Sequence, residues 1–339
     1  MEKDRITINK IAELAFVSRS VVSRVLNDRP NVSEAARTRV LDIIRKYNYH
    51  PSSTARSLAT NRTYEICILV PRWQNEVLAS GYWSLIFLGI SERCIERGYT
   101  GSLSAISVDK NNSLDINFIS DHAYDGYVLM HKEVFEQVFP FIQSSKLPAV
   151  AIGHDAQYPQ ISSIDVDNHE GAYLATRHLI KLGHKKIAII TGDRNRQESI
   201  DRLAGYKRAL TEADISESKP YIMHGSYTHS CGMESTQKLL ALDAPPTAIF
   251  CASDVAAQGS LLALHEAGLS VPKDMAMVGF DDLPASGYTI PPLSTIHQPI
   301  YEKGAEAANI IIDQIEGKTK EVVHINLTAS LVVRASCGG

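Results

Sequence analysis

A chain of 339 residues with 44% hydrophobic content can bury more than one core and exceeds what a single small domain needs. Its charged first ten residues and the lack of any run near the ~20 apolar residues that span a bilayer argue against export and membrane insertion, so a cytoplasmic protein is expected. Five scattered cysteines without a C-x-x-C pair imply neither a disulfide framework nor a zinc site. The net charge of -4 hides an asymmetry: residues 1–60 hold eleven Lys and Arg against six Asp and Glu, a balance of +5 that leaves -9 for the remainder. A basic head on an acidic body suits a chain that meets phosphates at one end only.

In the head, Ile8, Ile11, Ala12 and Ala15 recur at helical spacing, and Val22, Val25 and Leu26 follow after a short break. Thr7 and Ser18 stand where N-caps belong, and the turn between the two helices is Phe16 to Ser18. Helices this short must bury their apolar stripes against each other and a third helix, Ser33 to Tyr47, with Ala36, Val40 and Ile43 or Ile44 inward. The pattern is a helix-turn-helix. The opposite face of the second helix then offers Arg19, Ser20, Ser23 and Arg24 to a DNA major groove. Arg19 and Ser20, nearest its start, are placed to read base edges, and Ser23, Arg24 and Asn27 to hold phosphates. The pattern alone leaves open a three-helix module that binds protein.

The segments VSRSVVSRVLN, VSEAARTRV and YNYHPSSTARSLA closely resemble the headpiece of the lactose-repressor (also galactose-repressor) family of bacterial regulators. The resemblance implies a DNA-contacting set that also includes Thr7, Ser18, Ser53, Ala55 and Leu58. Within it, residues 52–59 would be a hinge that turns helical on specific DNA, with Leu58 wedged into the minor groove. Phe16 departs from the family pattern, which has glycine in the turn.

From Glu65 onward, apolar runs such as ICILV, GYVLM, PAVAI, KIAII and TAIFC alternate with helical periods. This alternation argues for an α/β architecture with parallel sheets, long enough for two lobes with a ligand between them. The motifs IDVDN, HLIKLGHKKIAII, RLAGYKRAL, PTAIFCASDVAAQGSLLAL, AGLSVPKDMAMVGFDD and PPLSTIHQP extend the resemblance over nearly the whole chain. They imply an all-α helix-turn-helix headpiece joined to an α/β two-lobed, periplasmic-binding-protein-like effector domain. The implied boundaries are a headpiece over 1–50, a hinge and linker over 51–62, and a body over 63–339. In that body the N-lobe would take 63–161 and 293–321, and the C-lobe 162–292 and 322–339.

By the same resemblance Arg202 and Asp281 match effector-binding residues, a donor-only fork and an acceptor-only carboxylate suited to a polyhydroxylated ligand. Tyr227 matches an aromatic that stacks on a sugar face. Arg72 and Trp73 follow the first strand where a loop lines the cleft, and Ser253 and Gln298 complete the candidate set. Arg202 and Asp281 could instead pair with each other, Tyr227 and Trp73 could be core residues, and Asp282 reads as structural. No phosphate-binding glycine loop or H-E-x-x-H helix occurs, so no catalytic residue, metal or cofactor is assigned and no enzyme is expected.

The resulting expectation is a cytoplasmic, nucleoid-associated homodimer that represses transcription from near-palindromic double-stranded operator DNA under control of a sugar-like effector. The helix Trp83 to Arg97, with Trp83, Ile86, Phe87 and Ile90, is a candidate part of the dimer surface, although the same residues could simply cover the first sheet. A regulator governed mainly by a protein co-regulator and a sugar-binding receptor are the alternatives.

Overall fold

Neither of the first two helices is long enough to persist alone in water, so burial decides whether they form. The computed structural model describes residues 6–26, 30–47, 49, 62–71, 81–106, 124–130, 132–154 and 157–339. The chain divides into two units, Met1–Tyr64 and Glu65–Gly339. The first contains α1 (Ile8–Leu14), α2 (Arg19–Leu26) and α3 (Glu34–Lys46). Thr7 Oγ1 accepts the Lys10 amide at 3.3 Å to open α1, and Ser33 Oγ accepts the Ala36 amide at 3.4 Å to open α3. These caps satisfy donors that no earlier turn can reach. Ile11, Ala15, Val22 and Val40 are wholly buried where the helices meet, and Ile43 and Ile44 both pack against them. Arg39 Nε donates to the Ala15 carbonyl at 3.2 Å, so α3 also satisfies the C-terminal end of α1.

The second unit holds two six-stranded sheets. Its first half contains β1 (Glu65–Pro71), α4 (Tyr82–Glu96), β2 (Thr100–Ile106), β3 (Gly126–Leu129), α5 (Lys132–Ser145), β4 (Ala149–Ile152) and β5 (Ser162–Val166). There follow α6 (Asn168–Lys181), β6 (Ile187–Thr191), α7 (Gln197–Glu212), β7 (Ile222–His224), α8 (His229–Leu240), β8 (Ala248–Cys251), α9 (Asp254–Glu266) and β9 (Ala276–Asp281). The chain finishes with β10 (Ser294–His297), α10 (Ile300–Ile315), β11 (His324–Leu327) and β12 (Ser330–Val332). The first sheet runs β11-β5-β4-β3-β1-β2 with every pair parallel, and the second β12-β10-β9-β8-β6-β7 with only β12 antiparallel. Strands β3, β6, β8 and β9 are buried at every residue, as expected of parallel strands covered on both faces by helices.

The chain passes between the sheets three times: after β5, after β10 and after β11. Each passage falls later than the exchange points near 162, 292 and 322 that motif matching suggested. Residues 162–166 still pair with β4 and β11, residues 294–297 with β9 and β12, and residues 324–327 with β5. A strand must complete its ladder before its backbone can leave the sheet. Helix α10 returns to the first lobe by packing on α4. A Cβ on Gly89 would lie 2.1 Å from the Tyr301 carbonyl oxygen, and one on Gly304 2.2 Å from that of Ile86, so only glycine permits this approach at either position. That contact decides between the two readings of α4, because Ile86 and Ile90 are wholly buried in their own lobe and not in a subunit contact. Its outward side carries Leu88 and Ile95 instead, 47% and 70% exposed. Among the described residues, no helix is long and apolar enough to cross a membrane.

Candidate functional site

The first candidate surface lies on α2. Its buried residues are Val22 and Val25, which leaves Arg19, Ser20 and Arg24 exposed and Ser23 half-buried. Ser18 Oγ accepts the Val21 amide at 3.4 Å and lies 2.7 Å from Ser20 Oγ. A hydroxyl that accepts a capping bond retains its own proton to donate, so exposed Thr7 and Ser18 can cap a helix and still bind an oxyanion. The first turn of α2 carries no acidic residue to offset its positive end. Phe16, in the turn, is 89% exposed and has φ 54°, a left-handed conformation that is costly for a side chain with a Cβ. Asn27, Ser53, Ala55 and Leu58 lie outside the described residues, as do Arg72 and Trp73.

The second candidate site lies where the chain passes between the two sheets. Arg202, on α7, is 6% exposed. Its Nε donates to Asn168 Oδ1 at 2.8 Å, and a terminal nitrogen donates to the Ala252 carbonyl. Its guanidinium lies 3.8 Å from the centre of the Phe280 ring and 5.4 Å from that of Tyr227, a cation over aromatic faces. Asp281, at the end of β9, is equally buried and accepts Gln298 Nε2 at 2.6 Å. Arg202 and Asp281 are thus held by separate partners. Asp281 and Asp282 have φ of 121° and 59°, and consecutive non-glycine residues in this region persist only when their surroundings fix them. Gln298 fixes the first, while Arg334 at 2.7 Å and His297 at 3.0 Å fix the second, which leaves Asp282 a structural residue.

The other expected residues take varied positions. Tyr227 is half-buried, packs on the second lobe's core and has its hydroxyl 2.7 Å from Ser199 Oγ. Ser253 is 3% exposed and caps α9 by accepting the Ala256 amide at 3.1 Å. Gln298 is 1% exposed and uses both ends of its amide, donating to Asp281 and accepting from Lys303 Nζ at 3.1 Å. Burial raises the pKa of both Asp254 and Asp281, because each loses solvation; the neighbouring Asp281 charge further raises that of Asp254.

Sequence reasoning missed the residues that connect this constellation. Lys303, 2% exposed on α10, donates to Asp165 Oδ1 at 2.9 Å and to Tyr82 at 3.3 Å. Asp165 Oδ2 accepts from Asn168 Nδ2 at 3.2 Å and from the His154 amide at 3.1 Å. Burial alone would raise the Asp165 pKa, but Lys303 beside it holds the carboxyl below its ordinary range. One sequence signal was available: Lys303 falls at helical spacing among Ile300, Ala307 and Ile311, on a face where a charge needs a partner.

A small cavity opens one helical turn from Arg202 along α7. Leu129, Phe135, His154 and Tyr158 line it from the first lobe, and Gln197 and Glu198 from the second. Lys132 Nζ reaches across to the Asn195 carbonyl at 2.9 Å. Arg202 and Asp281 are not among its walls, and the polar constellation, with its convergent donors and acceptors, is the stronger indicator of ligand chemistry.

Residues 7–52 match the family described as bacterial regulatory proteins, lacI family, and residues 176–337 match a periplasmic binding protein-like domain. The chain is 34% identical to an HTH-type transcriptional repressor PurR of Haemophilus influenzae (strain PittEE) and 32% identical to one of Aliivibrio salmonicida (strain LFI1238). In both cases the match covers 97% of this chain and 98% of the relative. Among solved structures, the Lac repressor dimer bound to operator and the anti-inducer ONPF is similar with a TM-score of 0.81 at 27% identity, covering 98% of this chain and 99% of that one. A complex of the transcriptional regulator CelR with cellobiose is similar with a TM-score of 0.75 at 30% identity, covering 98% and 100%. With relatives this similar along nearly their whole length, the chain belongs to the lacI family of bacterial regulatory proteins.

Proposed function

We propose that this protein is a cytoplasmic transcriptional repressor whose hold on operator DNA is set by a small molecule bound between its lobes. The observation that carries this reading is the pairing, in one chain, of an exposed Arg19–Ser20–Arg24 face on a helix-turn-helix with a buried donor and acceptor constellation where two α/β lobes exchange strands. Arg19 and Ser20 read base edges in the major groove, while Ser23, Arg24, Thr7 and Ser18 fix the register on phosphates. Two copies bind a near-palindromic operator, a reading supported by the similar Lac repressor, whose structure is a dimer bound to operator. The exposed Leu88 and Ile95 side of α4 contributes apolar surface to that dimer.

Arg202 supplies unused guanidinium donors and Asp281 an acceptor, a combination suited to a ligand rich in hydroxyl groups. Tyr227 lends a ring face, and the cellobiose bound by CelR exemplifies such a ligand. Ligand and DNA affinities are reciprocally coupled, and the protein acts by binding, without turnover.

Two measurements test the reading. A thermal-shift screen of sugars, sugar phosphates and sugar acids should find a ligand that raises the melting temperature, since binding to the native state stabilises it by mass action. The Arg202→Ala variant should then bind a selected operator as wild type does but no longer respond to that ligand; a normal response would remove Arg202 from the effector site.

A further inference from the structure

The cleft residues are tied to one another by a continuous chain of buried groups. Arg202 Nε donates to Asn168, and Asn168 donates to Asp165. Asp165 accepts from Lys303, Lys303 also donates to Gln298, and Gln298 donates to Asp281. Every member is less than a tenth exposed. Asp165 and Lys303 belong to the first lobe, Arg202 and Asp281 to the second, while Asn168 and Gln298 sit at two of the passages between them. The relay therefore converges on a single ion pair, at 2.9 Å.

From this arrangement we infer that Lys303 is a positioning residue that fixes Arg202 through Asp165 and Asn168, fixes Asp281 through Gln298, and holds the two passages in one geometry. The inference rests on reading the cleft as the effector site. A charge pair out of water is a poor source of net stability but a strict geometric constraint, because neither charge tolerates losing the other. An amide oriented between two partners cannot rotate without breaking a bond at both ends. A change of angle between the lobes must therefore carry Asn168 and Gln298, and with them the effector residues.

The test is amide hydrogen exchange on the full chain without ligand. The paired variant Asp165→Asn, Lys303→Met removes both charges together while keeping an acceptor for His154 and Asn168. It should melt near wild type yet exchange at least about tenfold faster over 165–169, 200–204 and 296–300, as local opening energies fall, with β3 and β6 unchanged. Should that variant fail to fold, Gln298→Met breaks the bonds of Gln298 to Lys303 and Asp281 but keeps the Asp165–Lys303 pair, and should accelerate exchange over 279–283 and 296–300 while leaving 165–169 and 200–204 as in wild type. Wild-type exchange in these segments, or a uniform rise across both lobes, would overturn the inference. Because no ligand enters the measurement, its failure is distinct from failure of the effector screen, which in turn does not depend on Lys303.

Discussion

On the outward face of α2, Arg19, Ser20 and Arg24 stand in solvent, whereas Arg202, Asp281, Gln298 and Lys303 are each less than a tenth exposed and bonded to protein on the site's own terms. The difference fits the ligand proposed for each region. Phosphates and base edges arrive hydrated and in slightly varying positions, so long side chains free to adjust serve best, with affinity that falls as salt rises. A small molecule enclosed between lobes must replace its water with groups already in place, and those groups need partners of their own before it arrives.

This contrast predicts unequal responses to single substitutions. The largest should come from Lys303→Met, which leaves the Asp165 charge buried without its partner and should cost about 3–5 kcal/mol of stability, read from denaturant unfolding of the body. Unchanged unfolding would mean the pair is already solvated. Next, Arg19→Ala should cost about 1–3 kcal/mol of discrimination between operator and random DNA, with little effect on stability; unchanged specificity would remove it from the reading helix.

A smaller gain should follow from Phe16→Gly. Relief of the left-handed strain, offset by the entropy of glycine, should stabilise the headpiece by about 1 kcal/mol, seen as a higher urea midpoint. A loss would indicate that the exposed ring makes a contact that matters.

The smallest effect concerns pH. A carboxyl whose folded pKa lies above its ordinary 3.8 contributes stability that is complete below that value and is lost as pH rises through the raised pKa. The contribution of Asp254 to the body's stability should therefore fall as pH climbs from the acid range toward neutrality, and Asp254→Asn should remove that part of the melting-temperature profile. An equal slope in the variant would assign the dependence to other groups.

Much of the head was legible in the sequence because its helices are local and amphipathic. The spacing of Ile11, Ala15, Val22 and Val25 marks the buried stripe, and by subtraction leaves Arg19 and Ser20 outside. Thr7 and Ser18 announce their helices, since a cap acts within three residues of itself. What spacing could not supply was the bond from Arg39 to the end of α1, which joins residues 24 apart.

In the body, periodicity and motifs identified alternating strands and helices and the lobed architecture. They placed the passages a few residues early and left Ile86 and Ile90 open between a subunit contact and the first sheet, because a helix covered on two sides shows the same apolar spacing as one that offers a face to a partner. Asp165, Asn168 and Lys303 lie as much as 138 residues apart in the chain, and only the fold brings them together. The sequence by itself determined which segments form helices and strands and which end of the chain suits DNA, since those depend on near neighbours and summed charge. The tertiary structure alone decided which buried charges meet, because a pair too costly to bury separately is set by packing between distant segments and leaves no local pattern.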